Sequence, residues 1–112
     1  MATSRRQHRV NHLLHHEISN VLERELDDPR LTGLTVSGVE ISPDLRYARV
    51  FIVMAADALP EVEVRAGLES AKPFLRRELA KRVQLRVMPE LDFRFDHSLD
   101  YAERIERLLA RR

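Results

Sequence analysis

Cysteine is absent from this 112-residue chain, which excludes disulfide scaffolds, thiolate metal sites, redox motifs and cysteine nucleophiles. Glycine occurs only three times, too sparsely for a P-loop or a glycine-rich dinucleotide turn. The longest apolar run, Val50 to Ala56, is seven residues, whereas a membrane-spanning helix needs about 20. The opening Met-Ala-Thr-Ser-Arg-Arg is not followed by an apolar stretch, so no secretory signal is legible and a cytoplasmic protein is expected. Neither sign of charge dominates: 19 Lys+Arg oppose 18 Asp+Glu, for a net +1. Total charge alone therefore names no partner.

The composition that is present is that of a globular protein, with 44% hydrophobic and 33% charged residues. The length suits one domain with a real core, expected to span residues 1–112. The charges are also unevenly distributed. Residues 1–16 carry three Arg, four His and no acid, and residues 17–28 carry five acids and one Arg. Residues 71–88 carry Lys72, Arg76, Arg77, Lys81, Arg82 and Arg86 against Glu78 alone. A nearly neutral chain arranged in this way can present basic faces to a polyanion.

Hydrophobic periodicity supplies the elements. Ser4 and Gln7 have capping-box spacing, and Val10, Leu13, Leu14, Ile18, Val21, Leu22 and Leu26 share one helical face, predicting a helix over about 5–26 that stops at Asp27-Asp28-Pro29. Leu34, Val36, Val39 and Ile41 alternate with a change of phase at Gly38, as a bulged strand does. After a Ser42-Pro43-Asp44 turn, a second strand over about 46–54 sets Ala48, Val50, Ile52 and Met54 against a mixed face of Tyr47, Arg49 and Phe51, either solvated or a contact surface. Pro60 suits a first helical turn, and Val64, Leu68, Ala71, Leu75 and Leu79 form one stripe that runs through Pro73. Proline removes a helical hydrogen bond and crowds the preceding turn, so two helices meeting at a kink near Ser70–Pro73 are expected. Leu85, Val87, Leu91, Phe93 and Phe95 alternate with polar residues in a third strand that Pro89 should confine to a sheet edge or a bulge. Residues 99–109 read as a short amphipathic helix capped by Ser98.

A hairpin makes the first two strands antiparallel, and a helical crossover permits a parallel third. The expected fold is α+β, with helices on one face of a three-stranded mixed sheet, in the element order of a type II KH domain. Specific residues carry a closer resemblance. They are Arg9-Val10-Asn11-His12-Leu13-Leu14, Asp27-Asp28-Pro29-Arg30-Leu31, and the strand pair from Val36 through Ser42-Pro43-Asp44-Leu45 to Ala48. They continue in Ala71-Lys72-Pro73-Phe74-Leu75, in the distinctive segment from Leu85 to Phe93, and in Asp96-His97-Ser98. Across essentially its whole length the chain resembles the bacterial ribosome-binding factor A family. That resemblance implies a monomeric, non-catalytic factor that binds the free 30S subunit and its 16S rRNA, with no membrane or small-molecule partner. It further implies assistance to late 30S maturation and 16S 5′-end processing. The family's helix pair is usually interrupted by Ala-x-Gly; here Ala71, Lys72 and Pro73 occupy those positions, so proline replaces glycine at the kink.

No catalytic residue, metal ligand or cofactor is assigned. His8, His12 and His16 recur at i, i+4 and i+8, which could place two imidazoles on one metal, but the only further candidate ligand, Glu17, lies on a different side of the helix, and a polar helix face is the simpler reading. Arg5 and Arg9 share a stripe with His12 and His16, opposite the apolar face of the first helix. With Arg6 they place positive charge where the helix dipole disfavours it, which suggests an anionic partner. The candidate RNA-binding residues are therefore Arg5, Arg6 and Arg9 with Lys72, Arg76, Arg77, Lys81, Arg82 and Arg86, although Arg82 lies near the apolar edge. The GxxG loop by which KH domains clamp single strands is missing, so phosphate and shape recognition of folded RNA is expected.

Overall fold

A computed structural model describes residues 3–97, 106 and 108–110. Helix α1 (Arg5–Asn20) begins with the anticipated capping box: Ser4 Oγ accepts from Gln7 N at 3.1 Å, and Ser4 N donates to Gln7 Oε1 at 2.9 Å. Its α-helical part ends sooner than the expected residue 26. Val21–Glu25 form one wider π-helical turn, which brings both Val21 and Leu22 into the core. Asp28 then caps a 3-10 turn, Pro29–Leu31, by accepting from Arg30 N, and Leu31 is buried beneath it.

Strands β1 (Thr35–Ile41) and β2 (Tyr47–Val53) pair antiparallel. The register passes from Val36↔Ile52 to Gly38↔Phe51, leaving Ser37 as the extra residue of the expected bulge. Helix α2 (Glu61–Arg82) crosses over to β3 (Glu90–Phe95), which pairs parallel to β2 and gives the sheet order β1-β2-β3. Val36, Val39, Ile41, Ala48, Val50, Ile52, Leu91 and Phe93 are buried together with Val10, Leu14 and Ile18 of α1 and Val64, Leu68, Leu75 and Leu79 of α2. This is the α+β arrangement of helices on one face of a mixed sheet.

Three expectations are corrected. The two helices foreseen on either side of Ser70–Pro73 are one continuous 22-residue helix. Pro73 and Glu69, whose carbonyl loses an N–H partner to the proline, are both exposed, while Ala71 and Leu75 stay buried on either side of Pro73. The third strand does not start at Leu85. Its first pair is Tyr47↔Glu90, and the residues before Tyr47 belong to a turn, so residues 83–89 have no strand to pair with. Accordingly Val87 is exposed, Leu85 half-buried, and the buried Pro89 immediately precedes the ladder. Pro60 is the N-cap residue of α2 and precedes its first turn. Of the expected tail helix, the Ser98 cap and residues 99–105 and 107 lie outside the described residues, while Glu106 and Leu108–Ala110 are helical.

Candidate nucleic-acid interface

The basic residues of α1 and α2 have different fates. On α1, Arg5, Arg6 and Arg9 are exposed. Among the described residues none of them enters an ion pair. On α2, Lys72 pairs with Glu69 at 3.1 Å and lies 5.6 Å above the ring of buried Phe93, so its stem covers the core. Arg76 stands 3.7 Å from Glu90, and Lys81 lies 3.0 Å from Glu78.

Arg82 is the most engaged of the set. Its guanidinium reaches Glu25, Glu78 at 3.2 Å and Glu17 at 3.8 Å, tying the C-terminus of α2 to α1 and the π turn. The hydrogen bond from Arg82 holds the Glu25 carboxyl below its ordinary range, and Glu25 in turn holds the guanidinium pKa up. Its placement beside the apolar edge is thus a structural clasp, which engages Arg82 within the fold more than any other candidate of the RNA face. Arg77 and Arg86 are exposed and, among the described residues, form no ion pair. At the expected kink positions Ala71 is buried, Lys72 half-buried and Pro73 exposed.

Two basic residues from distant segments converge with a third that the sequence did not single out. Arg6 of α1, Arg46 of the β1–β2 turn and Arg86 of the 83–89 segment line one groove of about 250 Å³ with Leu45, Leu85, Val87 and Asp44. The turn is built for this placement. Ser42 Oγ donates to Asp44 Oδ1 at 2.6 Å and accepts from Tyr47 N at 3.0 Å, Arg46 N donates to Asp44 Oδ1 at 3.1 Å, and Leu45 N donates to Ser42 O at 2.9 Å. These bonds hold Leu45 at φ 63°, a left-handed conformation that is costly for a leucine. The Ser42 hydroxyl and the Arg46 N–H also keep the Asp44 carboxyl below its ordinary range, with the Arg46 charge adding to the effect. Asp44 is therefore engaged within the turn, and three guanidinium groups face the groove against one satisfied carboxylate.

The histidines divide as well. His8, His12 and His16 are exposed, and no three His, Asp or Glu side chains gather as metal ligands among the described residues. His15 Nε2 instead donates to Val36 O at 2.8 Å, Asn11 Oδ1 accepts from Ile41 N at 2.7 Å, and Gln7 Nε2 donates to Ile41 O at 3.3 Å. Spaced four apart, these side chains close the outer edge of β1, which limits pairing there with other strands.

The family model of ribosome-binding factor A matches residues 6–109. The chain belongs to the ribosome-binding factor A family. It is 40% identical over 105 residues to ribosome-binding factor A of Trichlorobacter lovleyi, covering 94% of this chain and 85% of that one. The crystal structure of ribosome-binding factor A from Thermus thermophilus superposes with a TM-score of 0.74 at 27% identity, over 82% of this chain and 97% of that one. A homology model of the Thermus thermophilus factor, fitted into a cryo-EM map of a 30S–RbfA complex, gives a TM-score of 0.61 at 33% identity, covering 76% of this chain and 89% of that one.

In this ribosome-binding factor A chain, Arg46 is not marked by the sequence, because it follows a turn signal and belongs to no basic run. The Ser42-Pro43-Asp44 turn was the available clue: it returns the chain beside the start of α1, where Arg6 lies.

Proposed function

We propose that this chain is a ribosome assembly factor of the cytoplasm that binds the free 30S subunit through its 16S rRNA. Residues 1–112 act as one KH-like domain and a monomer, and the chain works by binding, without catalytic activity of its own. Its finer role is assistance to late 30S maturation and to 16S rRNA 5′-end processing. Family membership supports the partner, as does the likeness to a factor fitted into a 30S complex. The observation that carries the reading to particular residues is the groove where Arg6, Arg46 and Arg86 meet without ion-pair partners among the described residues. Guanidinium groups without ion-pair partners suit phosphate contacts, which fix position on the RNA without specifying its sequence. Arg5, Arg9 and Arg77 extend this surface, with Arg76, Lys72 and Lys81 as weaker contributors because each already neighbours a carboxylate.

Sedimentation of extract through a sucrose gradient tests the proposal. The protein should migrate with free small subunits at low salt and leave them at high salt. Migration with the small-protein fractions at every salt concentration would refute it. Co-migration with some other protein, unaffected by ribonuclease, would favour the open sheet face of Tyr47, Arg49 and Phe51 as a protein-docking surface.

A further inference from the structure

We propose that the groove bounded by Arg6, Arg46 and Arg86 receives one unpaired RNA nucleotide, its base on the apolar floor and its phosphates among the guanidinium groups. This rests on the RNA-binding reading above and deepens it from a phosphate-contacting surface to a nucleotide site. A surface that met only duplex phosphates would need no apolar floor, because the base faces of an A-form helix are stacked on one another and only unpaired bases can be splayed out to meet one. Here the three arginines surround Leu45, Leu85 and Val87. Val87 is 68% exposed, and Leu45 and Leu85 pack against the core, so the apolar lining is supported while part of it remains open. The volume of about 250 Å³ falls below the roughly 300–1,000 Å³ of sites for drug-sized ligands. It suits a single planar base whose charged backbone stays at the rim.

Charge and geometry favour the same occupant. Three positive groups face one carboxylate already bonded to Ser42 Oγ and Arg46 N, so an anion meets little competition. Guanidinium planes also stack on bases, which lets the same arginines serve both base and phosphate. The left-handed Leu45 backbone, held by the hydrogen bonds of the turn, fixes one wall of the groove before any ligand arrives. No base-edge donor or acceptor pattern is built into this floor, so the site should accept any base.

The test compares an oligouridylate of about five nucleotides with a ribose-phosphate strand of the same length lacking bases, at one salt concentration, for the wild-type chain and for Val87→Ser. The base-bearing strand should bind the wild type about tenfold more tightly than the abasic strand, the scale expected when one face of a base is buried on an aliphatic floor. Val87→Ser should remove most of that advantage and leave abasic affinity unchanged. Methyl resonances of Leu45, Leu85 and Val87 should shift only with the base-bearing strand. Equal affinity for the two strands, failure of both to bind, or an advantage that survives Val87→Ser would overturn the nucleotide site. Sedimentation with small subunits is scored separately. Its loss refutes the ribosomal reading, while the strand comparison alone decides whether the groove holds a base.

Discussion

Asn11 on α1 accepts a 2.7 Å hydrogen bond from the backbone N–H of Ile41, the last residue of β1. Gln7 bonds the carbonyl of the same residue, so helix and strand edge are joined by side chains acting as a substitute strand. Replacing Asn11 with Ala leaves a partly buried N–H without its acceptor and should cost about 1–3 kcal/mol in urea denaturation. Asn11→Asp keeps an acceptor and should recover most of that loss. Equal losses in the two variants would show that the hydrogen bond does not stabilise the edge.

Leu79 of α2 is fully buried in the core. Leu79→Ala should cost roughly 2–5 kcal/mol, through lost apolar burial and the cavity left behind. A loss below about 1 kcal/mol would contradict the packing described for α2.

Pro73 occupies an exposed position inside a helix that continues past it on both sides. Alanine there restores an N–H for the Glu69 carbonyl and improves helix propensity, so Pro73→Ala should raise stability by about 1–3 kcal/mol. Destabilisation would mean that the proline sets a bend on which the packing of Ala71 and Leu75 depends.

The Arg82 clasp makes part of the stability depend on acidity. Glu25 has an ordinary pKa of 4.5, lowered in the fold by Arg82. Its stabilising contribution is thus fully present above that value and is lost as the pH falls through the lowered one. Denaturation midpoints of wild type and Arg82→Met should differ most near neutrality and converge in acid. A gap that stays constant or widens in acid would assign the role of Arg82 to the packing of its stem alone.

Much of this architecture can be read from local chemistry. The Ser4 and Gln7 pair sets the start of α1, the phase change at Gly38 marks the bulge, and the Val64 to Leu79 stripe identifies the buried side of α2. Features that depend on what a segment meets are less legible. Leu85 and Val87 alternate as a strand would, but β2 begins only at Tyr47 and leaves them unpaired. Proline's local cost suggested a break in α2, yet the burial of Ala71 and Leu75 beside an exposed Pro73 is compatible with an uninterrupted helix. The groove was illegible for a related reason. Arg6, Arg46 and Arg86 belong to three different segments, and charge counts along the chain cannot join them.

The salt dependence of small-subunit binding addresses these arginines most directly. In a variant with Arg6, Arg46 and Arg86 all changed to Ala, the slope of log affinity against log salt should shrink by roughly 2 to 3, because each lost phosphate contact removes about 0.7–0.9 from it. A slope equal to that of wild type, with the fold intact by circular dichroism, would contradict the assignment of this groove to RNA.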